Sequence, residues 1–132
     1  CYNAMDVLVN PAYGEGFGVP IIEAQAAGTP VIVNDFTSMP ELRGSGWLVD
    51  GEPEWDEAQM TFFQKPRVRS ITNALEKAYR SGDKHRQEAR EFGLRYSHIA
   101  IYEKHWKPTL AALEADFFEA PDVKPVKLEV LK

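Results

Sequence analysis

The sequence predicts an α/β fold in which a parallel sheet is flanked by helices and followed by a helical C-terminal region. Two short apolar runs, Val7–Val9 and Val31–Val33, are bounded by turn residues. Such runs are typical of strands buried on both faces of a parallel sheet. A helical segment lies between them, which makes a βαβ unit. The run from Gly46 to Val49 is expected to form a third strand.

The helix between the first two strands is expected from about Val19 to Ala27. Pro20 suits the first helical position because its missing N–H would have no partner there. Gly28 is a C-terminal stop, and Thr29–Pro30 prevents continuation of the helix. Asn10 and Asn34 follow the first two strands directly. Because ligands of open α/β sheets bind outside the carboxyl ends of the strands, the segment after Asn10 is the first place to look for a site.

That segment contains the run Glu15–Glu23, in which two carboxylates have seven residues between them, including a Gly-x-Gly loop. Gly16 and Gly18 allow backbone to approach a ligand closely. The free N–H groups and the dipole of the following helix favour an anion such as a diphosphate. The run therefore predicts a site for a ligand that carries phosphate near its centre.

The two carboxylates of the run need a different partner, because they would repel phosphate. An ionised carboxylate only accepts hydrogen bonds, and sugar hydroxyls donate them. Glu15 is therefore suited to a transferred sugar and Glu23 to a ribose, which is the layout of a nucleotide sugar. The plainer alternative is that Glu15 is a solvated loop residue and that Glu23, in the opening turn, favours the helix N-terminus by its charge.

Five ordered blocks of the sequence resemble the retaining glycosyltransferases of the GT-B fold, in the group 1 (family 4) class. They are Ala4–Pro11, the E-x7-E run Glu15–Glu23, Glu23–Ile32, Met39–Leu42 and Gly46–Val49. The similarity is close over about residues 1–50 and loose over 67–118. It implies that residues 1–119 are the second half of a Rossmann-like C-terminal, donor-binding domain, with 120–132 as a tail that forms an extra strand or a linker.

The resemblance also implies roles for particular residues. Glu15 would be catalytic, contacting hydroxyls of the donor sugar and fixing its position in the transition state. The backbone amides of Gly16, Phe17, Gly18 and Val19 would hold the sugar and the distal phosphate. Glu23 would bond the ribose hydroxyls. The expected substrate is a nucleoside-diphosphate sugar, with no cofactor and no metal.

The sequence departs from the family pattern at Asp35–Met39, where many members have a glycine-rich turn. Thr37 and Ser38 would supply hydroxyls to the donor there or would satisfy the backbone of a turn, and the turn interpretation is slightly favoured. The Arg and Lys that clamp the diphosphate in the family lie upstream, and no residue of this chain maps onto them. The resemblance therefore implies a transferase as parent and an isolated chain that is inactive.

Composition narrows the partners. The chain has 132 residues, 44% of them hydrophobic, which is enough for one domain with a packed core. Its net charge of −5, without a cluster of basic residues, argues against nucleic acid as a partner. A single cysteine, Cys1, excludes an internal disulfide, and three scattered histidines form no metal motif. No apolar run approaches the roughly 18 residues of a membrane span. The expected location is the cytoplasm, or the inner membrane face through the parent enzyme.

Two regions are less clear from sequence. The connection 50–66 contains Trp55, Phe62 and Phe63. It is interpreted as a lid, a strand over Met60–Gln64 or a docking patch, with packing of the aromatic residues beneath a loop favoured. In the helical half, Asp83 and Ser97 are expected N-caps, Pro108 a kink, and the alternating tail from Val126 to Val130 a strand.

The helical half also carries an apolar stripe at helical spacing, which would pack on its own sheet or on the N-terminal domain that the resemblance implies. Its members are Ile99, Tyr102, Trp106, Leu110, Leu113 and Phe117. The expected partners are the nucleotide-sugar donor, an acceptor that the sequence does not name, that N-terminal domain, and a second copy paired through an open sheet edge. A non-catalytic interaction module derived from a glycosyltransferase is the alternative function. A sugar-nucleotide epimerase fits the block order less well.

Overall fold

The computed structural model describes residues 1–119 of the chain. They fall into two compact units, and the division lies between Ser97 and His98. The predicted strand from Val126 to Val130 lies outside the described residues. The first unit contains all the described strands and the Glu15–Glu23 run.

A three-stranded parallel sheet forms the centre of the first unit. Its strands, in the spatial order β1-β2-β3, are β1, Leu8–Asn10; β2, Val31–Asn34; and β3, Gly46–Val49. The predicted α/β fold with a Rossmann-like parallel sheet is confirmed, although β1 begins one residue later than expected. All four residues of β2 are buried, whereas those of β1 are only partly buried. Burial on both faces was therefore predicted correctly for β2 and wrongly for β1, which pairs on one side only among residues 1–119.

Helices cover both faces of this sheet. Their bounds are α1, Val19–Ala26; α2, Met39–Leu42; α3, Val68–Ser81; and α4, Arg86–Leu94. Val31 and Val33 point to the side of α1, where they join a core with Ile21 and Ala24. Ile32 points to the opposite side and packs with α3. The alternation of side chains along β2 thus divides the hydrophobic core into two layers.

Helix α1 begins after Gly18, whose φ of +91° is the left-handed conformation that favours glycine. It ends at Ala26, one residue earlier than predicted, and Gly28 has a φ of +82° after it. Glu23 is the fifth residue of the helix, so its predicted place in the opening turn is wrong. A carboxylate interacts favourably with the helix dipole only within the first turn. The alternative role of Glu23, as a charge that favours the helix N-terminus, is therefore not supported.

A buried amide joins α1 to the entry of β3. The Nε2 atom of Gln25 donates to the carbonyl oxygens of Ile21 at 3.0 Å and Leu42 at 2.7 Å. Its Oε1 atom accepts from the backbone N–H of Ser45 at 3.0 Å. All of the polar atoms of this fully buried side chain therefore have partners, which a buried amide requires.

The connection predicted as a long loop is a β-hairpin. Strands β4, Gly51–Asp56, and β5, Thr61–Pro66, pair antiparallel. Among the predicted alternatives, a strand over Met60–Gln64 is the nearest to the observed β5. Trp55 and Phe62 face each other across the hairpin with ring centroids 4.9 Å apart, and they are 49% and 58% exposed. The favoured prediction of packing beneath a loop is wrong for these two rings, since each of them stays about half exposed.

The segment before α4 also differs from expectation. Asp83 does not cap the helix, because a 3₁₀ turn occupies Gly82–His85 and α4 begins at Arg86. The carboxylate of Asp83 instead accepts from the Nε atom of Arg86 at 2.7 Å. The tighter turn moves the helix start beyond the reach of that side chain.

The second unit is helical over its described residues. It comprises α5, His98–Ile101; a π-helical turn, Tyr102–Trp106; and α6, Lys107–Glu119. Ser97 directly precedes α5. The wide turn ends two residues before Pro108, which cannot continue the α-helical hydrogen-bond ladder. The predicted apolar stripe has all its members 45–64% exposed. No helix among the described residues is long and apolar enough to cross a membrane.

Candidate functional site

The segment Gly14–Gly18, called the glycine loop below, is the last part of the connection from the carboxyl end of β1 to the start of α1. Parallel strands end at the same edge of the sheet, so the loop lies where α/β proteins place their ligands. The loop follows Asn10 and Tyr13, and its last residue, Gly18, is buried while Gly16 and Phe17 are exposed. The expected position of the Glu15–Glu23 run at this edge is therefore observed.

Two hydroxyls from the turn after β2 hold the glycine loop. The backbone N–H of Glu15 donates to Oγ1 of Thr37 at 2.9 Å. The Oγ atom of Ser38 donates to the carbonyl oxygens of Glu15 and Phe17, each at 3.0 Å. Thr37 itself has a φ of +54°, a left-handed conformation that is uncommon for a β-branched residue, and its hydroxyl donates to the carbonyl of Phe36 at 2.8 Å. Both hydroxyls thus bond backbone groups, mostly those of the glycine loop.

The side chain of Glu15 is partly buried, and its Oε1 atom accepts a long hydrogen bond of 3.5 Å from Nδ2 of Asn10. Glu15 lines an open cavity of about 460 Å³ between the glycine loop and the hairpin. Pockets for small ligands have volumes of roughly 300–1,000 Å³. The structure therefore places one of the two predicted carboxylates in a space of suitable size, together with Gly16 and Thr37.

The N-terminus of α1 has no side-chain cap, and Pro20 in the first turn has no N–H to be satisfied. The first intrahelical bond runs from the N–H of Ile21 to the carbonyl of Gly18 at 3.0 Å. Val19 is 54% exposed, and the ring of Phe17 packs edge-on against Tyr96 with centroids 6.0 Å apart. The N-terminus of α1 therefore presents the positive end of the helix dipole, which favours an anion.

Glu23 is exposed, and it is not among the residues that line the cavity with Glu15. Its Oε2 atom accepts a hydrogen bond of 3.1 Å from the hydroxyl of Tyr2. Loss of hydration raises the pKa of the Tyr2 hydroxyl above its ordinary value of 10.0, and the neighbouring Glu23 carboxylate raises it further. Tyr2 was missed by the sequence reasoning because 21 residues separate the partners and no motif links them.

Asn34, at the end of β2, joins the two walls of the cavity. Its buried Nδ2 atom donates to the carbonyl oxygens of Ala12 at 3.1 Å and Gln64 at 2.7 Å. Its Oδ1 atom accepts from Nε2 of Gln64 at 3.0 Å. The sequence signal was the Asn at the end of each strand, although the partner in β5 is not visible from sequence.

A second polar cluster lies away from the glycine loop, where β3 meets α4. The Oγ atom of Ser45 is 3.0 Å from Nδ1 of His85 and donates to Oε2 of Glu88 at 3.1 Å. The carboxylate of Glu88 approaches the same ring nitrogen at 3.4 Å. A nucleophile relay requires the two partners to use different nitrogens of the imidazole, so this cluster has the geometry of a structural link.

The described residues contain no group of three or more His, Cys, Asp or Glu side chains arranged to hold a metal ion. The chemistry that the cavity offers through Glu15 is hydrogen bonding to hydroxyls, because a carboxylate accepts and hydroxyls donate. A carboxylate placed in this way can orient a ligand that carries hydroxyls.

Residues 1–61 match the sequence profile of a family described as "Glycosyl transferases group 1". The chain is 46% identical over 48 residues to the O-antigen chain mannosyltransferase B of Escherichia coli, covering 36% of this chain and 13% of that protein. It is 41% identical over 75 residues to the O-antigen chain mannosyltransferase RfbU of Salmonella typhimurium, covering 54% and 21%. It is 48% identical over 61 residues to a D-inositol 3-phosphate glycosyltransferase of Streptomyces bingchenggensis, covering 44% and 13%.

The chain thus spans about a fifth or less of the length of these curated relatives. The matched residues include both carboxylates of the Glu15–Glu23 run and the three strands of the parallel sheet. The comparisons support a relationship to the group 1 glycosyltransferases, as the resemblance of the five sequence blocks predicts.

Proposed function

We propose that this chain is the donor-binding part of a retaining GT-B glycosyltransferase that transfers a sugar from a nucleoside-diphosphate sugar. The observation that carries the proposal is the position of Glu15 in a cavity at the carboxyl edge of the sheet, beside an uncapped helix N-terminus. The similarity to group 1 transferases supports sugar transfer independently. Because two of the relatives are named mannosyltransferases, a hexose is the sugar we propose.

The proposed roles follow from the chemistry of each group. The carboxylate of Glu15 accepts hydrogen bonds from hydroxyls of the sugar, and this contact orients the ring for transfer. The amides of the segment Gly16–Val19 hold the phosphate nearest the sugar. Negative charge grows on that phosphate as the glycosidic bond breaks, and fixed amide dipoles stabilise it without reorganising.

Glu23 has the ribose as its proposed partner, and Tyr2 sets the orientation of its carboxylate. The hydroxyl of Tyr2 occupies one acceptor position on Oε2, which leaves Oε1 for a diol. Thr37 acts in this scheme through the loop backbone, since its hydroxyl accepts from the N–H of Glu15. These proposed roles need no metal, because the helix dipole and the amide dipoles would stabilise the negative charge of the phosphate.

Replacement of Glu15 in the parent protein tests the proposal. Glu15→Gln keeps the size of the side chain and removes its charge, so we expect transfer to fall by about 100-fold or more, the scale seen when one positioning or electrostatic group is lost. Release of nucleoside diphosphate from GDP-mannose and UDP-glucose is the measurement. Glu76→Gln, on the exposed face of α3 where Glu76 pairs with Arg80, is the matched control. Turnover of Glu15→Gln close to that of the control would reject the role of Glu15.

The alternative is a non-catalytic interaction module with the same fold. The exposed aromatic pair of the hairpin, Trp55 and Phe62, is the observation that favours it. Calorimetric titration with UDP, GDP and their sugars separates the two functions. Heat of binding for a sugar nucleotide supports the transferase, and its absence at millimolar ligand together with capture of a protein partner supports the module.

A further inference from the structure

The wall of the cavity opposite the glycine loop comes from the hairpin, which the family resemblance did not cover. Four hairpin residues line this wall: Gln59, Thr61, Phe62 and Phe63. Glu15 and Gly16 line the other wall, together with Gly14, Phe36 and Thr37. The cavity of about 460 Å³ is thus lined by two phenylalanines and two neutral polar residues of the hairpin and by one carboxylate of the glycine loop.

This combination matches the chemistry of a pyranose ring. One face of a hexose presents C–H groups, which pack on an aromatic ring, and its edge presents hydroxyls, which need donors and acceptors. Phe62 is 58% exposed and so offers a ring face that the protein core does not use. The hydroxyl of Thr61 and the amide of Gln59 can each donate or accept, and Glu15 can only accept.

The hairpin wall is fixed in place, which a selective site requires. The N–H of Gln64 donates to the carbonyl of Tyr13 at 3.0 Å, and Asn34 bonds both Gln64 and Ala12. Gly14 allows the contact, because a Cβ atom at that position would lie 3.2 Å from Cδ1 of Phe63. The turn of the hairpin is closed by the N–H of Gln59, which donates to Oδ1 of Asp56 at 2.7 Å.

We propose that Gln59, Thr61 and Phe62 form the second wall of a pyranose subsite and select the sugar that faces Glu15. The inference rests on the proposed function, since it assigns the specificity of the same cavity. A pyranose could come from the donor or from the acceptor. The position of Glu15 favours the donor hexose, and the experiment has an arm for each source.

The test is a titration of the 132-residue chain followed by ¹H–¹⁵N chemical shifts. The probes are GDP, GDP-mannose, UDP, UDP-glucose and methyl α-D-mannopyranoside. In Phe62→Ala we expect the Kd of the preferred sugar nucleotide to rise about tenfold, the loss of one aromatic contact, and the Kd of its nucleoside diphosphate to stay unchanged. Thr61→Val, which keeps the volume of the side chain, should cause a smaller loss in the same direction.

Trp55→Ala is the matched control, because Trp55 packs on Phe62 and does not line the cavity. It removes the same ring contact as Phe62→Ala, so an equal loss in both variants would overturn the proposal by showing that the pair is structural. A loss confined to methyl mannoside supports the pyranose subsite and assigns it to the acceptor. If neither Phe62→Ala nor Thr61→Val changes the Kd of any of the five probes, the pyranose subsite is overturned and the proposed function is not. A wild-type chain that binds none of the five probes overturns it together with the proposed function.

Discussion

The glycine loop and the hairpin form two walls of one cavity, yet the protein builds them in different ways. The loop Gly14–Gly18 has few side-chain atoms, and its backbone is held by hydroxyls from the turn after β2. The hairpin is held by its own register, with six residue pairs from Gly51 opposite Pro66 to Asp56 opposite Thr61. The loop depends on neighbours for its shape, whereas the hairpin depends on them only for its position.

This difference separates two kinds of sequence change. Substitutions that alter the neighbours of the loop should disturb the carboxylate of Glu15, and substitutions within the hairpin should alter the opposite wall without unfolding it. Asn34 is the exception, because it bonds both walls through Ala12 and Gln64. Three variants therefore test this difference between the two walls: one at Asn34, one at Gly18 in the loop and one at Arg67 at the base of the hairpin.

The largest effect is expected for Asn34→Ala. The substitution leaves the partly buried carbonyl oxygens of Ala12 and Gln64 without their donor, at a cost of about 2–4 kcal/mol in the free energy of unfolding. Urea denaturation measures it. Asn10→Ala is the matched control at the end of the neighbouring strand, where the hydrogen bonds are 3.3 and 3.5 Å long. Equal losses in the two variants would show that Asn34 does not join the walls.

A smaller effect is expected within the loop, from Gly18→Ala. The φ of +91° is unfavourable for alanine by about 1–2 kcal/mol, and the new Cβ atom would lie 2.8 Å from Cδ1 of Ile21. Gly16→Ala is the control, since a Cβ atom there meets nothing within 4 Å. The difference between their thermal midpoints is the measurement. Similar midpoints would mean that the loop start is not constrained by Gly18.

The smallest effect concerns the base of the hairpin. The hydroxyl of Ser70, followed by the guanidinium of Arg67, lowers the pKa of Asp50 below its ordinary value of 3.8. Because the folded-state pKa is depressed, the ionised group stabilises the protein above about pH 4, and this contribution is lost as the pH falls through the folded-state pKa. In Arg67→Ala the pKa should move back toward 3.8, as ¹³C titration of the carboxyl would show. If the pKa of Asp50 did not change in this variant, the Arg67 guanidinium would not be a cause of its depression.

The parts of the fold that were predicted correctly depend on local patterns. The apolar run at β2 and the glycine after α1 specify a buried strand and a helix end wherever they occur. The hairpin was not recognised as such, because β4 contains Gly51 and Pro53, which are unfavourable in strands. Pro53 is tolerated since β4 pairs only with β5 among the described residues.

For the candidate site, the sequence predicted Glu15, Glu23 and the glycines between them as contacts of a donor, and these roles stay predictions. The structure places Glu15 and Gly16 at the cavity and Glu23 outside it. The sequence did not locate Tyr2, Gln64 or the hairpin wall. Tyr2 meets Glu23 across 21 positions of the chain, and Gln64 meets Asn34 across 30 positions. Contacts between residues so far apart leave no periodic signal in the sequence.

The sequence by itself determined the parallel α/β core, the loop at the carboxyl edge of the sheet and the helix that follows it. Spacing, glycine and proline act on neighbouring residues, so their effect is visible without a structure. Only the tertiary structure decided that Glu15 lines a cavity, that Glu23 lies outside it, and that an aromatic hairpin forms the second wall. Those facts depend on side chains brought together across the fold by buried hydrogen bonds such as those of Asn34.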